Sequence, residues 1–130
     1  MTIPFWCLLV AIVLPYVLTG VAAYFRNKQF GSIDNNHPRA QAAALKGAGA
    51  RAWAAQQNAW EALVVFGLAV IVAHLAGADA GKSSLASVIF VSSRVLHAVF
   101  YISNVAPLRS LMFVVGTACC LWLFRLAAVA

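Results

Sequence analysis

Seven polar residues stand where apolar ones are expected, and their types could do chemistry. They are Arg51, Asn58 and Glu61 in one long apolar stretch, Arg94, His97 and Tyr101 in another, and Arg109 just beyond it. At 100° per residue, Arg51, Asn58 and Glu61 fall within an arc of about 80°, and Arg94, His97 and Tyr101 within about 60°. Each stretch, read as a helix, therefore carries one polar stripe. Glu61 lies ~16 Å and Arg94 ~19 Å along their helices from the same side of the molecule. These similar depths predict a Glu61–Arg94 ion pair or a shared polar network. Two readings of the stripes stand side by side. Buried carboxylate, guanidinium and amide groups can simply hold helices together. Alternatively, Arg51, Arg94 and Arg109 line a cleft for an anionic ligand, because a guanidinium offers fixed charge and directed donors.

The elements that must position these residues follow from composition. The chain is 64% hydrophobic and only 9% charged over 130 residues. A soluble domain carries about 25% charged residues, and a chain this short has too much surface to hide so many apolar side chains in a core. A bilayer can take that surface. Four apolar runs are long enough to cross ~30 Å of hydrocarbon as helices. They cover about 3–25, 50–76, 84–105 and 108–129, with Pro15 inside the first and Pro107 ending the third. The fold class is therefore all-α, an integral membrane four-helix bundle in one domain. A short helix over about 40–47 leads from the first loop into the second span.

The net charge of +6 is concentrated in the first loop and its flanks, at Arg26, Lys28, Arg39, Lys46 and Arg51. Positive short loops remain in the cytoplasm, so the first and third loops are expected there and both termini on the other side. Membrane orientation accounts for the basic balance, and the pattern of a nucleic-acid-binding surface is missing. Cys7, Cys119 and Cys120 lie inside apolar runs without metal-ligand or redox spacing. They read as small buried hydrophobes. His37 reads as a loop residue, His74 as a residue away from the stripes, and Trp53 and Trp60 as packing or interfacial anchors.

The two stripes also carry a resemblance. Asn58-Ala59-Trp60-Glu61 resembles the second-helix motif of the MAPEG superfamily of eicosanoid and glutathione metabolism. The run Arg94-Val95-Leu96-His97-Ala98-Val99-Phe100-Tyr101, with Pro107-Leu108-Arg109 after it, resembles that family's third-helix motif and following turn. The segment from Asp34 to Arg39, with Arg51-Ala52-Trp53, looks most like a bacterial branch, which places the chain in an inner membrane. The resemblance implies a homotrimer holding glutathione as co-substrate near the cytoplasmic side, between subunits. By motif position Asn58, Glu61, Arg94 and Tyr101 are its ligand-binding or network residues. His97, which stands where some members have Tyr, and Arg51, from the cationic cleft, complete the expected ligand-binding set. Arg109 is the thiolate-stabilising residue, since a nearby cation favours the thiolate of a thiol. The implied function is a glutathione-dependent transferase or peroxidase acting on a hydrophobic small molecule, without a metal. Ala54 and Ala62 stand where leukotriene-synthase-like members have Arg and Tyr. The alternative is thus a non-catalytic lipid- or small-molecule-binding protein of the same fold. A third reading, a small transporter coupled through Glu61, sits poorly with the cations Arg51 and Arg94 beside that carboxylate.

Overall fold

The computed structural model describes residues 1–130. It is entirely helical, in the order α1 Ile3–Phe30, α2 Pro38–Ala43, α3 Gly47–Leu75, α4 Ala80–Ile102 and α5 Ala106–Ala128. Helices α1, α3, α4 and α5 are each long and apolar enough to cross a membrane. Every one of them touches the others except the pair α1 and α5. The bundle is thus a rhombus in section, with α3 and α4 across its short diagonal.

Size is sorted the opposite way from a soluble protein. The interior is built largely from Ala52, Ala55, Ala59, Ala69, Ala73, Ala86 and Ala98, while Val64, Leu68, Ile71, Leu111, Val114 and Leu121 face outward. Small residues let membrane helices approach closely, and lipid accepts the large ones. One aromatic pair fills the centre. Phe66 of α3 and Phe90 of α4 stack at 3.9 Å between centroids and 8° between planes.

The helix ends depart from expectation in instructive ways. Helix α1 continues through Pro15 to Phe30, five residues past the expected end, because its last turn is held from outside the span. Gln29 donates to the Ala44 carbonyl at 3.1 Å and accepts from the Lys46 amide at 3.0 Å. The Gln41 side chain accepts from Arg26 Nε at 2.8 Å and donates to the Ser32 carbonyl at 2.9 Å. The connecting helix forms at Pro38–Ala43 rather than 40–47, since Pro38 suits a first helical turn and Gly47 already belongs to α3. Pro107 does not end α4. It lies in the first turn of α5, and α4 is ended by Asn104 in the left-handed region at φ 62°. The Val105 amide reaches the Phe100 carbonyl at 2.9 Å and the Asn104 amide reaches Tyr101 at 3.2 Å, which is a Schellman closure. Asn adopts that backbone more readily than most residues because its short side chain bonds locally.

Asp34 folds the first loop. Its Oδ1 accepts the amides of Asn36 and His37, both at 2.9 Å, and His37 Nδ1 stands 3.5 Å from Oδ2. The His37 amide bond is the main reason the Asp34 carboxyl is held below its usual range. A lowered folded pKa adds stability that is present above the ordinary carboxylate pKa of about 3.9 and is lost as pH falls through the lowered value. The amide resonances of Asn36 and His37 should accordingly titrate with a midpoint below about 3.9. A midpoint at or above it would show that the carboxylate does not hold this turn.

Candidate functional site

Helices α3 and α4 set the geometry of the polar stripes. At the basic end of the bundle, Arg51 Nε donates to the Ile102 carbonyl at 3.0 Å, which satisfies one of the open carbonyls at the end of α4. From that level Asn58 is about 10 Å along α3 and Arg94 about 12 Å along α4. Asn58 and Arg94 therefore meet. The Arg94 guanidinium donates to Asn58 Oδ1, and Asn58 Nδ2 donates to Glu61 Oε2 at 3.3 Å. Glu61 lies one turn deeper and has no direct ion pair with Arg94. The expected coupling is realised as a shared network, with the amide relaying between the two charges.

The network continues toward the basic end. Arg94 Nη2 lies 3.3 Å from His97 Nδ1. A guanidinium only donates, so Nδ1 must accept and the ring proton sits on Nε2. The His97 ring meets Tyr101 edge-on at 5.6 Å, and the Arg109 guanidinium lies 4.6 Å above the Tyr101 ring. Six of the seven candidates thus form one string from Arg109 through Tyr101, His97, Arg94 and Asn58 to Glu61. Arg51 stands apart, committed to the α4 terminus.

Burial along this string is uneven. Arg94 is only 4% exposed, and its Nε has no acceptor. Glu61 is exposed although it lies midway along α3, about 21 Å from either end. Both open onto a cleft of about 310 Å³ between α3 and α5, floored by α4. Its other walls include Phe90, Phe113, Gly116 and Cys120. Gly116 makes room for the arginine: a Cβ there would come within 3.1 Å of Ser93 Oγ and 3.5 Å of Arg94 Cδ. The α5 contribution was missed from sequence. Its signal is the spacing of Phe113, Gly116, Thr117 and Cys120, which recur at three and four residues on one face.

A second polar surface lies on the far side of α3. There Arg26, Arg39, Trp53 and Gln56 surround a shallow hollow between α1, α2 and α3. Gln56 donates to Thr19 Oγ1 at 3.3 Å, while its own Oε1 is buried without a partner. Trp60 leans edge-on against Tyr16 at 5.2 Å.

The sequence model of the MAPEG family matches residues 3–129, nearly the whole chain. The chain belongs to the MAPEG family. No curated protein matches it. As a MAPEG protein with four membrane-length helices, it is an integral, multi-pass membrane protein of a family of eicosanoid and glutathione metabolism. Asn58, Glu61 and Arg94, from the two motifs that carried the resemblance, form one network in this MAPEG chain.

Proposed function

We propose that the protein is a glutathione-dependent transferase or peroxidase in which the cleft holds glutathione at a subunit boundary. The observation that carries this reading is an exposed carboxylate, Glu61, in the middle of a membrane span. A charge at that depth facing lipid is costly, and such groups face protein or a water-filled space instead. A neighbouring copy covering the cleft meets that demand. In a closed ring each copy offers two different faces, and the cationic hollow with Arg26, Arg39 and Gln56 is the complementary one. A homotrimer is the assembly proposed. The basic first loop and the third loop are placed in the cytoplasm, the side from which a water-soluble thiol enters.

Glutathione has the groups this cleft asks for. Its carboxylates supply an acceptor for the free Nε–H of Arg94, and its ammonium supplies a partner for Glu61. Arg109 at the start of α5 keeps its charge at any physiological pH and favours the thiolate. The thiolate then displaces a leaving group from, or adds to, a hydrophobic electrophile arriving from the bilayer. With a hydroperoxide, sulfur takes the distal oxygen as the O–O bond breaks and the alcohol leaves after protonation. A second thiol then gives the disulfide and water.

A second reading has its own support. Arg109 is stacked on Tyr101 and does not line the cleft, whose walls are largely apolar. A non-catalytic lipid- or small-molecule-binding protein would look the same. Calorimetry with glutathione on the detergent-purified protein, followed by ultraviolet detection of thiolate, separates the two. Millimolar or tighter binding with thiolate absorbance is expected, and Arg109→Ala should abolish that absorbance while keeping the assembly. If wild type does not bind glutathione at millimolar concentration, the enzymatic reading fails and the lipid-binding one replaces it.

A further inference from the structure

The opposite end of the bundle has a cavity that the glutathione chemistry does not use. It has a volume of about 240 Å³ and is lined from all four spans, by residues that include Thr2, Phe5, His74, Ser83, Ser84 and Leu123. It lies near the start of α1 and α4 and the end of α3 and α5. That places it at the far membrane boundary, a bundle's length from the basic loop.

One group in it is chemically unfinished. Ser84 and Ser87 donate their hydroxyls to carbonyls one turn back, at 2.7 and 2.8 Å. Ser83 does not do the same, although its own amide reaches the corresponding Asp79 carbonyl at 2.9 Å in the ordinary helical way. Its hydroxyl, in a residue only 7% exposed, has no partner. A buried hydroxyl without a partner costs free energy that an added acceptor recovers. The His74 ring, set edge-on to Phe5 at 5.0 Å, supplies a second polar group in the same walls. No Lys, Arg, Asp or Glu lines the cavity.

These observations select the ligand's chemistry. With no formal charge to pair, the seat disfavours an anion or a cation at the membrane boundary. It fits an uncharged head bearing a carbonyl oxygen, small enough for the cavity, with an apolar tail left in the lipid. We propose that this cavity binds the carbonyl head of a neutral amphiphile, with the Ser83 hydroxyl donating to it. That chemistry has two membrane sources, the ring carbonyl of an isoprenoid quinone and the acyl ester of a glycerolipid.

The test uses the full chain purified in detergent, titrated separately with decylubiquinone and with a short-chain diacylglycerol. Saturable binding of one probe at one per chain is expected, and the probe that binds identifies the source. Ser83→Ala should weaken it roughly tenfold, the loss of one buried hydrogen bond. Ala80→Phe, at an exposed position on the cavity wall, should abolish it, and Ser84→Leu serves in its place if helix content falls. Binding of neither probe would leave water as the occupant and overturn the assignment. So would a Ser83→Ala or a filled-cavity variant that binds as wild type does. Glutathione affinity is not a readout, so the outcome is independent of the function proposed for the cleft.

Discussion

Asn58→Leu is expected to destabilise the detergent-solubilised protein by about 3 kcal/mol. The reason is the arginine left behind. Arg94 is almost fully buried and donates to Asn58 Oδ1, with only His97 Nδ1 as a further acceptor. Removing one partner of a buried hydrogen bond costs about 1–3 kcal/mol, and more where the group left unsatisfied is charged, as the guanidinium is. His97 remains as an acceptor, which keeps the cost at about 3 kcal/mol. Arg94→Leu should cost less, as it removes the charge itself, and the double variant should be less destabilised than the sum of the singles. Glu61→Gln should cost about 1 kcal/mol or less, because an amide oxygen can still accept from Asn58. Denaturant titration of the four proteins gives the coupling directly. Additive losses at Asn58 and Arg94 would sink the network.

Gly116→Leu should remove ligand binding in the cleft, by at least roughly a hundredfold or about 2.8 kcal/mol. The position is tight before anything is added. Even a Cβ meets Ser93 Oγ at 3.1 Å and Arg94 Cδ at 3.5 Å. A leucine must therefore project into the cleft or push the Arg94 side chain from Asn58. Gly116→Ala should be the milder case, with an overpacking cost of about 1 kcal/mol and a retained but weakened site. Glutathione calorimetry on the three proteins reads the series. If Gly116→Leu binds as tightly as wild type, the ligand sits elsewhere on the molecule.

Several features are legible in the sequence. Four runs of apolar residues, each long enough to cross hydrocarbon, leave few folds open, because a backbone in lipid must satisfy its own hydrogen bonds. The stripes Arg51–Asn58–Glu61 and Arg94–His97–Tyr101 follow from the helical repeat alone. That they belong in one network followed from depth. The ends of the helices were less legible. They are decided by bonds between residues far apart in sequence or by local closure, such as Gln29 to Ala44 and Lys46 and Asn104 in its left-handed turn.

Tertiary structure decided which partners meet. Counting along each helix put Glu61 nearest to Arg94, but the register is set by Arg51 against the end of α4, and that brings Asn58 level instead. The walls of the cleft were likewise beyond reach of spacing within α3 and α4, since Phe113, Gly116 and Cys120 arrive on α5. The same holds for the free hydroxyl of Ser83, which lies in a cavity wall that all four spans build together. Composition and period act within one helix, so the sequence by itself determined the spans and the polar face of each. Contacts between helices depend on relative height and rotation, which only the packed bundle supplies.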